Sequence, residues 1–68
     1  MAKLTLKAAR VNVGLDQKTA AKKLKVSNKT LGNWENGITA PAANKIDSIC
    51  NLYKIEYDDL IFLVASSL

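Results

Sequence analysis

Apolar and small residues recur along this chain at three- and four-residue intervals, broken at short distances by residue types that cap or stop helices. Leu6, Ala9, Arg10 and Val13 stand at i, i+3, i+4 and i+7, so a first helix turns three small or apolar groups and one arginine to a single side. Gly14, free to take the left-handed conformation, ends it. Asp16 is suited to be the N-cap of a second helix running to about Leu24, with Ala20, Ala21 and Leu24 as a narrow inner face against which another helix can pack closely. Lys25 and Val26 make a break. Ser27 then suits the N-cap of a third helix, which reaches about Asn36 and is closed by Gly37.

On the third helix Leu31, Trp34 and Glu35 project one way, while Lys29, Gly32, Asn33 and Asn36 project the other. From Leu15 to Gly37 the pattern is therefore short helix, tight break, short helix, with a polar and basic outer face on the second member. Such an arrangement lays one helix into the major groove of DNA, and it makes the polar set a candidate reading face. Beyond it, ITAPAAN reads as a loop, with Pro41 near the start of a fourth helix whose inner face is Ala43, Ile46, Ile49, Cys50 and Tyr53. EYDDLIFLVASSL (56–68) reads as a fifth helix with Asp58 and Asp59 in its first turn, where carboxylates favour the helix dipole. Leu60, Ile61 and Val64 would face inward, leaving Phe62 and Leu63 as surplus apolar side chains. The expected architecture is all-α: a compact five-helix bundle forming one domain over 1–68.

Composition narrows the function. A chain of 68 residues has a thin core, since folding at this size buries only about 60% of the unfolded surface. A deep catalytic cleft is not expected. Histidine is absent and Cys50 is the sole cysteine, which excludes Cys/His metal sites and Cys-His or Ser-His catalysis. Asp58 and Asp59 are adjacent and so point to different helix faces, unsuited to paired acid-base work. The expectation is a non-enzyme without metal, cofactor or small-molecule ligand. Neither a secretory signal nor a run of ~20 apolar residues is present, so no membrane association and a cytoplasmic or nucleoid location are expected, with Cys50 a reduced, apolar core residue.

The net charge of +4 is unevenly spread. Residues 1–34 carry eight Lys/Arg against Asp16 alone, a balance of +7, whereas residues 35–68 carry Lys45 and Lys54 against five acids, a balance of −3. The basic half holds the candidate reading helix, which points to a polyanionic partner.

LKAARVNVGLDQKTAAKKLKVSNKTLGNWENGITAP, followed by KIDSICNLYKIEYDDL, resembles the phage Cro/cI-type, or Xre-like, helix-turn-helix family over about residues 4–61. Arg10, the GLDQ opening, Ala21, the WENG ending, Pro41 and YDDL carry the likeness together. The resemblance implies a lambda-repressor-like fold of five helices, with the motif at about 16–36, the second helix bridging the DNA backbone and the third in the major groove. It places Asn28, Lys29 and Asn33 at base-reading positions, where an Asn carboxamide suits adenine N6/N7 and a Lys ammonium suits guanine O6/N7. It places Gln17, Lys18, Ser27, Asn36 and Thr39 on the DNA backbone or the outermost base, helped by main-chain amides near Gly37 and Ile38. Arg10 and Glu35 match a buried ion pair tying the first helix to the motif.

By the same resemblance the chain is expected to be a repressor of phage or mobile-element type. It would bind a pseudo-palindromic double-stranded operator as a homodimer, through Phe62 and Leu63 of the C-terminal segment 56–68. A different reading of the fold is a protein-interaction module of antitoxin or anti-repressor type, against which the basic first half and the Asn/Lys face speak. Three positions depart from the family pattern: Lys25 and Lys54 stand where glycine is usual, and Gly32 lies inside the reading helix.

Overall fold

The structure, a computed structural model, describes residues 3–62. Leu4–Thr5 form a short strand, β1, and Thr5 starts the first helix, its hydroxyl accepting from the amide of Ala8 at 3.1 Å. Helix α1 spans Leu6–Asn12, α2 Gln17–Leu24, α3 Asn28–Glu35 and α4 Ala43–Tyr53. Side-chain caps begin α2, where Asp16 accepts from the amide of Thr19 at 2.7 Å, and α3, where Ser27 accepts from that of Thr30 at 3.0 Å. Helix α4 starts later than expected, at Ala43 after an Ala42 cap that offers no side-chain bond, so Pro41 lies just outside the helix. Ala43 is exposed rather than on the inner face.

Among the described residues 56–62 the expected fifth helix is not formed. Tyr57–Asp59 make a single 3-10 turn, and Leu60–Ile61 form a strand, β2, parallel to β1 with Leu4 opposite Leu60 and Thr5 opposite Ile61. Leu60 is buried, Ile61 exposed and Phe62 half-buried, the period-two alternation of a strand rather than the helical face expected of Leu60 and Ile61. A short apolar run fits either period, and here the unpaired edge offered by β1 decides the outcome. Val64 and Leu63 lie outside the described residues. The described architecture is thus mostly helical, with four α-helices and a two-stranded parallel sheet.

Leu6, Ala9, Ala20, Ala21, Leu24, Leu31, Trp34, Ile49, Tyr53 and Leu60 form one buried core. Ala20 and Ala21 allow α2 and α3 to approach, and Leu31 and Trp34 hold α3 against the body from beneath. Burying a side chain such as Leu31 stabilises the fold by about 1.5–3 kcal/mol, so α3 is docked from below while its polar face remains outside. Lys25 and Lys54 both adopt left-handed backbone, at φ 61° and 55°, so each turn keeps the geometry that glycine would take and carries the strain of a side chain there.

Candidate nucleic-acid interface

Ser27 commits its hydroxyl to Thr30, accepting from the Thr30 amide and donating to its Oγ1 at 2.8 Å, which sets where α3 begins. The next two residues, Asn28 and Lys29, are exposed, and Asn33 is half-exposed one turn further on. Lys18, Lys22, Lys23, Lys25 and Lys29 are all exposed on α2, the turn and α3, so the surface of the motif is rich in positive charge.

The end of α3 departs from expectation. Gly37 sits at φ 76°, the amide of Ile38 donates to the carbonyl of Asn33 at 2.9 Å, and that of Gly37 donates to Trp34 at 3.3 Å. These amides close the helix and are turned inward, not toward a phosphate. The side chains of Asn36 and Thr39 are exposed and remain available beside them.

Beneath the motif, Arg10 and Glu35 meet in a buried ion pair. Arg10 Nε donates to Glu35 Oε2 at 2.7 Å, Nη2 to Oε1 at 3.3 Å, and Nη1 to the carbonyl of Leu15 at 2.8 Å. Hydrogen bonding to Glu35 raises the guanidinium pKa, against the opposing effect of burial. Helix α1, the loop before α2 and the end of α3 are thereby pinned at one point. Tyr53 lies close by in the core, and burial pushes its hydroxyl up to about 12.

The sequence alone does not show what Gln17 does. Standing at the first turn of α2 and half-buried, it donates from Nε2 to Glu35 Oε1 at 3.0 Å and accepts at Oε1 from Asn28 Nδ2 at 3.0 Å. Asn28, Gly32 and Glu35 follow one another at i, i+4 and i+7, a single stripe of α3, and the Gln17 amide lies over the gap in it. A Cβ at Gly32 would come within 3.6 Å of that amide. The spacing was available in the sequence; the helix crossing that brings Gln17 onto it was not.

Phe62 packs against the core and against the Tyr57 ring, with centroids 5.7 Å apart, while Tyr57 and Ile61 are exposed. Phe62 is therefore partly used inside its own fold rather than wholly surplus. Leu63, the other expected dimer contact, lies outside the described residues. No helix among them is long and apolar enough to cross a membrane.

Comparison with known proteins adds a second line of evidence to this geometry. The family model described as Helix-turn-helix matches residues 6–60, from the first residue of α1 to the first of β2. The chain belongs to the helix-turn-helix family, in its Xre-like, Cro/cI-type form. Over 56 residues it is 38% identical to the HTH-type transcriptional regulator ImmR of Bacillus subtilis (strain 168). That alignment covers 82% of this chain and 44% of the relative, so the chain spans less than half the length of the protein it matches.

Proposed function

We propose that this chain binds double-stranded DNA sequence-specifically as a transcriptional regulator, a repressor of phage or mobile-element type that acts by occupying an operator. One observation carries the reading. Helix α3 is fixed from below by Leu31, Trp34 and Glu35 and from its start by the Ser27 cap, while Asn28, Lys29 and Asn33 stand on its accessible side. That is the physical requirement for reading base edges: a rigid rod whose amide and ammonium tips are accessible. Lys18, Asn36 and Thr39 would hold the flanking phosphates and set register, with Gln17 at the outer base or backbone beside them; Ser27, expected there too, spends its hydroxyl proton on Thr30 Oγ1. The name of the Bacillus subtilis relative, a transcriptional regulator, agrees with this reading.

A pseudo-palindromic operator and a homodimer complete the proposal, with two copies of α3 set about one DNA turn, ~34 Å, apart. The exposure of Tyr57 and Ile61, next to Phe62, supports a dimer contact at the C-terminal end of the described residues.

Selection from randomised duplexes is the direct test, and an enriched inverted repeat is the expected result. Measured on that sequence, affinity should fall by ~10³ or more between 50 and 200 mM salt, as neutralising about six phosphates requires. An unenriched pool with a flat salt response would refute DNA recognition. Sedimentation showing monomers only, with and without operator, would refute the dimer.

A further inference from the structure

Asparagine occurs at six positions, and the structure sets one of them apart. Asn12, Asn28, Asn33, Asn44 and Asn51 lie within helices, and each precedes a residue that carries a side chain. Asn36 stands just outside α3 as its C-cap, is exposed, and precedes Gly37. A following glycine leaves the main-chain nitrogen unshielded and the backbone around it free to turn.

We propose that Asn36 is a modification site, deamidated spontaneously when the last turn of α3 opens, and that the conversion lowers affinity for DNA. The consequence rests on the DNA-binding reading proposed above; the chemistry does not. The Gly37 nitrogen, on losing its proton, attacks Asn36 Cγ. The Cγ–Nδ2 bond then breaks, the amide nitrogen leaves as ammonia with a proton taken up, and a five-membered succinimide joins Cγ to the Gly37 nitrogen. Water opens the ring at either carbonyl, giving aspartate or isoaspartate, each with a new carboxyl group that ionises. Water is the sole co-reactant, and nothing is oxidised or reduced.

The fold gates the first step. With Asn36 at ψ 0°, the Gly37 nitrogen is eclipsed with the nitrogen of Asn36 and turned away from its side chain, and its proton is donated to the carbonyl of Trp34. That bond is long, at 3.3 Å, and it closes the end of a helix of only eight residues, a place where local opening needs no global unfolding. Either product works against DNA binding. A carboxylate replaces a neutral amide beside the phosphates that Asn36 would hold, and it stands at the negative end of the α3 dipole. Isoaspartate also lengthens the main chain by one carbon just before Gly37, within the turn in which the Ile38 amide holds the carbonyl of Asn33 at 2.9 Å.

The first test needs no DNA and so separates the modification from the DNA-binding proposal. In folded protein held at neutral to mildly alkaline pH and sampled by peptide mass mapping, Asn36 should convert about tenfold or more faster than any other asparagine, and faster still in urea. Another asparagine converting as quickly, or equal rates at Asn36 in the folded and urea-unfolded chain, would overturn the proposal.

The second test uses the duplex enriched by selection. Asn36→Asp should bind about tenfold or more weakly than wild type, and aged wild type should lose affinity in step with the converted fraction. Asn36→Gln, which cannot close the five-membered ring, should keep its own starting affinity through the same incubation. Aged wild type that binds unchanged, or an equal decline in Asn36→Gln, would overturn the link to DNA binding. Conversion at Asn36 in a protein that selects no duplex would refute the DNA-binding reading and leave the modification site standing.

Discussion

Lys45 of α4 reaches across to the end of α2, its ammonium donating to the carbonyl of Leu24 at 2.9 Å. A half-buried cation thus meets the negative end of the helix dipole one residue before the left-handed turn at Lys25. Replacing it by Met, which keeps the stem and removes the charge, should cost about 1–2 kcal/mol in a urea melt followed by Trp34 fluorescence. An unchanged midpoint would show the contact to be incidental.

The Arg10–Glu35 pair is nearly sealed from solvent, with side chains 8% and 3% accessible. Arg10→Met strands the carboxylate, so a loss of about 3–5 kcal/mol is expected by the same melt. Replacing both residues by apolar ones of similar volume should be less damaging than either single change, which a double-mutant cycle would reveal.

Lys25 pays conformational strain that glycine avoids. Lys25→Gly should stabilise the protein by about 0.5–1 kcal/mol, the gain in turn geometry being partly offset by the greater freedom of glycine in the unfolded chain. The same change at Lys22, inside α2, should destabilise by about 1 kcal/mol. Matched losses at both sites would contradict the left-handed turn.

Tyr53 links stability to alkaline pH. Its Oη is buried with no hydrogen-bond partner among the described residues, and burial lifts its pKa to about 12, above the usual value near 10 for tyrosine. Between those values the folded protein keeps a proton that the unfolded chain has released. Stability from this group is therefore complete below about pH 10 and is lost as pH rises toward 12, by about 2–3 kcal/mol. Tyr53→Phe should weaken that decline and leave neutral-pH stability equal or slightly higher, since it removes an unsatisfied hydroxyl. Paired melts at pH 7 and pH 11 test both.

The β1–β2 pairing is testable through its register. Leu60→Ala empties a buried site and should cost about 2–5 kcal/mol, whereas Ile61→Ala, on the exposed side, should cost well under about 1 kcal/mol. Comparable losses would indicate the inward-facing helix that the sequence pattern alone suggests.

Much of the candidate site was legible before any fold was in hand, because the signals that place α1, α2 and α3 are local. Asp16 and Ser27 cap their own helices through amides three residues on, Gly37 closes α3 with its own left-handed turn, and the spacing of Leu31, Trp34 and Glu35 separates a docked side from an open one. The fate of the main-chain amides at Gly37 and Ile38 was less legible, since closing a helix and holding a phosphate draw on the same groups.

The helices, the turns between them and the polarity of the α3 surface follow from the order of residues, because caps, spacing and turn chemistry act within a few positions. Tertiary structure alone decided the rest. It converted Leu60–Ile61 from a helical turn into a strand by offering the edge of Leu4–Thr5, more than fifty residues away. It also laid the Gln17 amide between Asn28 and Glu35, since hydrogen bonds between groups distant in sequence exist only after packing has set the angle at which α2 crosses α3.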